Sequence, residues 1–356
     1  MALLYVGSLG GYSGKNLISL GLGRRLIDDG FKVAFSKPYG AQPLRVEEAF
    51  TDADAWRICQ ELGLRQTPEQ ACPVVRTQDL AAHSLRHQAG DLLSVIRANT
   101  SELAQDHDLV ILGGGGTMAQ GAVSRIGGYS LVRELDAPVL LVDRYDNECF
   151  LDNLLTARDH LQGRLLGVVM NAVPGEMGEA METQVIPFLR EEGVEVLGRL
   201  PQDELLAAVS VGSLVESLGA KVITGSKHMG RLVMRFFIGA MQVGAAHKFF
   251  AGVRDFGCLV GGDRPDLQLA AIEGGAACLI LSGNLYPSEI ILSRAEEYEV
   301  PVLVVRADTY DIAHRLERLR LGVPLREPAK IARGLALVRA GLDFSALYAK
   351  LGLGAR

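Results

Sequence analysis

The sequence predicts an α/β protein: a doubly wound, mostly parallel sheet followed by a second, smaller α/β domain. Three observations carry this. Short continuous Val/Ile/Leu runs recur along the chain, as strands buried on both faces require. Each is followed by a Gly-, Ser- or Asp-rich turn and then by apolar residues at helical spacing, such as Leu17, Leu20, Leu22 and Leu26. With 356 residues and 48% hydrophobic composition, there is material for two cores.

Taken in order, the first strands are expected at Leu3–Val6, Val33–Phe35, Leu109–Leu112, Val139–Val142 and Leu165–Met170, with Gly193–Pro201 ending the first unit. A second set follows at Lys221–Thr224, about Phe236–Ala240, Cys258–Val260, Cys278–Leu281 and Val302–Val305. The expected domains are 1–205 and 206–325, with a helical tail over 326–356.

Composition excludes several classes. The net charge of −6 argues against a nucleic-acid-binding protein. Five cysteines without a C-x-x-C pair imply neither a disulfide framework nor zinc, so a cytoplasmic setting is expected. The apolar runs are strand-length, so no membrane span is expected.

The first strand runs into Gly7-Ser8-Leu9-Gly10-Gly11-Tyr12-Ser13-Gly14-Lys15-Asn16 and then a helix, the arrangement of a P-loop. Glycines let backbone N–H groups of Gly11, Ser13 and Gly14 turn toward a phosphate, the helix N-terminus adds positive potential, and Lys15 supplies a full charge. Gly10 and Tyr12 complete the loop. Asn16 stands where a Mg²⁺-holding Ser or Thr is usual.

The opening resembles dethiobiotin synthetase and its relatives. More closely, it resembles the N-terminal half of the long bacterial phosphotransacetylases. The likeness rests on Tyr12-Ser13-Gly14-Lys15, Lys37-Pro38, Asp52-Ala53-Asp54-Ala55 and Gly167-Val168-Val169-Met170-Asn171. It implies a P-loop NTPase-like fold binding ATP or another nucleotide, with Asp54 helping to hold a metal and Asn171 facing the base. A metal-binding Glu of the dethiobiotin branch is replaced by Leu112 in Leu112-Gly113-Gly114-Gly115-Gly116. Of the positions expected to hold Mg²⁺, Asp54 alone keeps its oxygen ligand. The resemblance also implies a homodimer.

Val260-Gly261-Gly262-Asp263-Arg264-Pro265 resembles the DRTGG domain, with Ile238-Gly239-Ala240-Met241 and Ala307-Asp308-Thr309-Tyr310 fitting the same domain. Independently of family, four expected strands end in small polar residues: Thr224-Gly225-Ser226, Gly261-Gly262-Asp263, Ser282-Gly283-Asn284 and Asp308-Thr309. Parallel neighbours would gather these turns into one polar crevice edged by Arg264. Asp263 is the natural N-cap of the following helix.

The phosphotransacetylases carry an acyl-transfer domain after the DRTGG domain, and the residues after Leu325 are too few to hold one. The leading expectation is therefore a regulatory or ligand-sensing protein, binding a nucleotide or phosphorylated metabolite on the first-domain loop, coupled to a second domain that binds a small ligand or partner at the crevice of Gly262, Asp263, Arg264, Ser282, Asp308 and Thr309, without phosphate acetyltransferase activity. Two rivals stand beside it. One is an ATP- and Mg²⁺-dependent ligase like dethiobiotin synthetase. The other is an interaction module that binds no nucleotide and assembles with a separate catalytic subunit.

Overall fold

A computed structural model describes residues 2–145, 149–240, 242–250, 252–322 and 325–354, so Met241 of the second-domain motif lies outside the described residues. The chain forms two compact units, 1–202 with 327–356, and 203–326.

The first unit is built on a six-stranded parallel sheet. Its strands are β1 (Ala2–Gly7), β2 (Val33–Ser36), β3 (Leu109–Gly113), β4 (Val139–Arg144), β5 (Leu165–Val173) and β6 (Val196–Pro201), in the spatial order β2-β3-β1-β4-β5-β6. β3 is buried along its whole length and β4 as far as Asp143, because helices cover both faces and no position is left for water. From β1 the chain goes to the edge strand β2, returns to place β3 between them, and then crosses to build β4, β5 and β6 on the other side. The turn after β1 therefore stands at the switch point of the strand order, where open α/β sheets leave a crevice.

Register decides what meets there. Gly7 lies level with Leu141 of β4, and Val6 with Gly113 of β3. Two residues on, Asp143 comes level with the loop after β1. Asn171 pairs with Arg144 on the next strand out.

Helix α1 (Lys15–Asp28) follows the loop and packs against α10 (Pro328–Gly341) in the C-terminal segment. Small residues set the approach: a Cβ on Gly21 would overlap Val338, and one on Gly334 would overlap Leu17. The last helix, α11 (Phe344–Leu351), also belongs to this unit, where Phe31 meets Tyr348 edge-on at 5.7 Å.

The second unit carries a five-stranded sheet of β7 (Lys221–Thr224), β8 (Arg235–Ile238), β9 (Phe256–Gly261), β10 (Cys278–Ser282) and β11 (Val302–Val304), ordered β7-β11-β10-β9-β8. β8 to β11 are parallel. β7 runs antiparallel to β11, pairing Lys221 with Val304. It leads into a single helical turn at Ser226–His228 and a two-residue strand, Leu232–Val233, rather than a crossover helix. Apolar clusters fill both faces, one around Phe250, Phe256 and Leu279, the other around Leu214, Leu259 and Ile280. Among the described residues, no helix is long and apolar enough to cross a membrane.

Gly21→Val should lower the urea midpoint of the first unit, since overpacking a close helix contact costs about 1–3 kcal/mol. An unchanged midpoint, read by the fluorescence of Trp56, would show that α10 is not held against α1 as described.

Candidate functional site

The loop between β1 and α1 folds around one buried ammonium group. Lys15 is the first residue of α1 and only 8% exposed. Its Nζ donates to Ser8 Oγ at 2.6 Å, Ser13 Oγ at 3.3 Å and the Gly116 carbonyl at 3.1 Å. All three acceptors are neutral. Burial pushes the Lys15 pKa down to about 8, opposed by attraction to Asp143.

Gly14 enters the helix at φ 98°, where glycine is strongly favoured, and a Cβ there would also overlap the Asn171 side chain. Gly11 and Tyr12 form the exposed tip, with Tyr12 at φ 56°. Asn16 is half-buried one residue further along α1. The run Gly113–Gly116 lies alongside. The Gly114 N–H donates to the Val6 carbonyl at 2.9 Å, while Ser8 Oγ bridges to the Gly10 and Gly116 carbonyls.

Asn171 reaches the loop from β5. Its Nδ2 donates to the Ser13 carbonyl at 2.8 Å, which ties the loop to β5. Leu112, at the position of the missing Glu, is fully buried.

One residue of the site was not anticipated. Asp143, at the end of β4 and 6% exposed, accepts from the Leu9 N–H at 2.6 Å and the Gly10 N–H at 3.1 Å through Oδ2. Its other oxygen accepts from the Arg144 N–H at 3.2 Å. Desolvation raises its pKa, opposed by these backbone donors and by Lys15. The sequence signal was an acid closing a buried strand at a sheet's carboxyl edge.

Asp54 does not stand open to a metal. Its Oδ2 lies 3.7 Å from Lys37 Nζ and accepts from Gln42 Nε2 at 3.0 Å. The buried carboxylate of the pair is Asp52, held by Lys37 Nζ at 2.8 Å and by the N–H groups of Gln42, Asp54 and Ala55. Its role is an N-cap for α2 (Ala53–Leu62). Among the described residues no group of three His, Cys, Asp or Glu could hold a metal ion. With Asp54 opposite a lysine, this donor set does not fit a protein-held Mg²⁺.

In the second unit, Gly261 pairs with Ser282 and Leu281 with Val304, so three of the polar turns do meet at one sheet edge. The fourth does not. Because β7 is antiparallel, Thr224-Gly225-Ser226 lies at the opposite edge, with Gly225 packed against Pro301. The groups at the shared edge are largely occupied with one another. Ser282 Oγ and Thr309 Oγ1 are 2.7 Å apart, and Asp308 caps α9 (Thr309–Leu321) through the Asp311 N–H at 2.8 Å. Gly262 is covered by Leu285. Arg264 is bidentate to Asp266, at 3.0 and 2.9 Å. Asp263 is not the cap of α7 (Pro265–Glu273), because Pro265 starts the helix and places Arg264 at the cap position, with no side-chain cap bond.

Comparison with known proteins follows this division. The AAA domain family matches residues 3–210, and the DRTGG domain family matches residues 213–319. A phosphate acetyltransferase of Pseudomonas aeruginosa is 27% identical over 99% of this chain and 52% of its own length. One from Synechocystis is 22% identical over 96% of this chain and 50% of its own. The chain thus spans about half the length of the curated relatives it matches. The septum site-determining protein MinD of Pyrococcus horikoshii, solved in complex with Mg-ADP, is similar at 14% identity and a TM-score of 0.39, over 58% of this chain and 83% of that one. These relatives correct the expectation of a regulatory or ligand-sensing protein without phosphate acetyltransferase activity: proteins matching nearly the whole chain bear that enzyme's name.

The depressed Lys15 pKa has a definite sign. The folded group loses its proton near pH 8, the unfolded one near 10.4. Between these values the unfolded chain binds more protons, so Lys15 makes stability rise with pH across that window. Below pH 8 both states are protonated and the cost of burying the charge is constant. Any stability advantage of Lys15→Met over wild type should therefore shrink from pH 8 to 10, measured by urea denaturation. A constant difference would place the Lys15 ammonium in solvent.

Proposed function

The chain belongs to the AAA domain family and carries a DRTGG domain behind it, the architecture of its phosphate acetyltransferase relatives, and on that premise we propose that it works in phosphate acetyl transfer. In that reaction an acetyl group moves between the sulfur of coenzyme A and an oxygen of inorganic phosphate. The thiol is released in one direction and the phosphate in the other. What this chain's residues would supply is a cradle for the phosphate-bearing reactant.

The observation that supports the cradle is the Lys15 ammonium, buried among neutral oxygens at the start of a 14-residue helix. A desolvated cation with no carboxylate in contact is favourably placed to receive an anion. Ser8 and Ser13 supply hydroxyls to the same point, and Asn171 braces the Ser13 carbonyl from behind. Protonated Lys15 is the form that attracts phosphate, so affinity should fall as pH rises beyond about 8. A nucleotide phosphate would use the same donors. The homodimer implied by the resemblance belongs to the same proposal.

The test is an acetyl-transfer assay on the protein, with acetyl phosphate and coenzyme A, following thioester formation. Turnover above the protein-free blank is expected, with Lys15→Ala raising the KM for acetyl phosphate about tenfold or more. Absence of turnover in the wild-type protein, and in any longer polypeptide of which this chain is a part, would overturn the reading.

A further inference from the structure

The backbone donors of the Lys15 loop are divided. The second half of the loop turns into the N-terminus of α1 and surrounds the ammonium. The first half is already filled by a carboxylate, since Asp143 Oδ2 takes the N–H groups of both Leu9 and Gly10. Nests of successive N–H groups are places where an anion settles. Here the protein's own acid sits in part of the nest. Among the described residues Asp143 makes no contact ion pair, with Lys15 attracting it only from a greater distance, and Gly10 packs directly against its carboxylate.

We propose that Asp143 is a specificity-determining residue, an internal anion that restricts the loop to ligands carrying a single phosphate group and disfavours polyphosphate chains. This rests on the reading of the Lys15 loop as a phosphate cradle and narrows its ligand class. A polyphosphate running from Lys15 toward the start of the loop would find the Leu9 and Gly10 N–H groups already taken and bring its further phosphates toward the Asp143 carboxylate. Like charges a few ångströms apart in a partly desolvated site repel strongly. A single phosphate at Lys15 needs only the second half. Inorganic phosphate and an acyl phosphate are both of that kind, whereas a nucleoside triphosphate is not. The device selects by repulsion, which discriminates between ligands that share the same attractive contact.

The experiment is a calorimetric titration of the full chain with inorganic phosphate and, separately, with metal-free ATP. Wild type should bind phosphate at least tenfold more tightly than ATP. Asp143→Asn keeps the shape and one acceptor oxygen while removing the charge. It should move the ratio toward ATP by about tenfold. If its circular dichroism or melting shows a fold defect, Asp143→Ser is read in the same way, and the wild-type ratio decides on its own. ATP binding as tightly as phosphate to wild type, or a ratio unmoved in a folded Asp143 variant, would overturn the proposal. Binding of neither ligand would remove the cradle and this proposal together. A shifted ratio without acetyl transfer would leave the selectivity standing and remove only the activity.

Discussion

A single desolvated cation organises the first unit's working edge. Lys15 is anchored by its place at the start of α1, and its ammonium has only hydroxyl and carbonyl oxygens to satisfy it. That arrangement recruits residues far apart in the chain. Ser8 comes from the end of β1 and Gly116 from the turn after β3, a separation of 101 residues from Lys15 itself. Asn171 reaches in from β5 to hold the Ser13 carbonyl, and Gly14 must lack a side chain so that it can. The glycine run at 113–116 lets one strand turn close enough to lend a carbonyl. The strand order and register of the first unit's sheet bring these residues together at the switch point.

Much of this was legible in the sequence because it is local. A strand, a glycine-rich turn, a lysine and a helix lie within a few residues, and continuous apolar runs such as Leu109–Leu112 advertise burial on both faces. What was missed is what depends on register or direction. Asp143 is an acid closing a strand, like many others, until the pairing of Gly7 with Leu141 brings it under Leu9. The four residues Lys221–Thr224 carry no sign of which way they run. An antiparallel edge therefore moved the Thr224 turn away from its expected companions. Asp263 was displaced as a cap by a single position, because Pro265 fixes where the helix begins.

The carboxylates show how context separates residues that look alike. Asp52 and Asp54 sit two apart in one motif, yet Asp52 is sealed by a lysine and three N–H groups, while Asp54 remains partly exposed beside the same lysine. Asp143 makes no contact ion pair among the described residues; it is held by three backbone N–H groups, with Lys15 attracting it from a greater distance. Three acids near one loop therefore have three different electrostatic roles, fixed by which donors reach them.

The first unit is discontinuous: its chain leaves at residue 202 and returns only at 327. The cover for Leu17 and Gly21 of α1 thus comes from a segment that is synthesised later than the second unit. The whole of the second unit is synthesised before the first can close, reversing the usual order in which N-terminal units finish first. Until then α1 exposes an apolar stripe to the cell. A nascent chain of this design has a built-in interval of vulnerability to aggregation, and a polypeptide cut at the end of the second unit would never leave it.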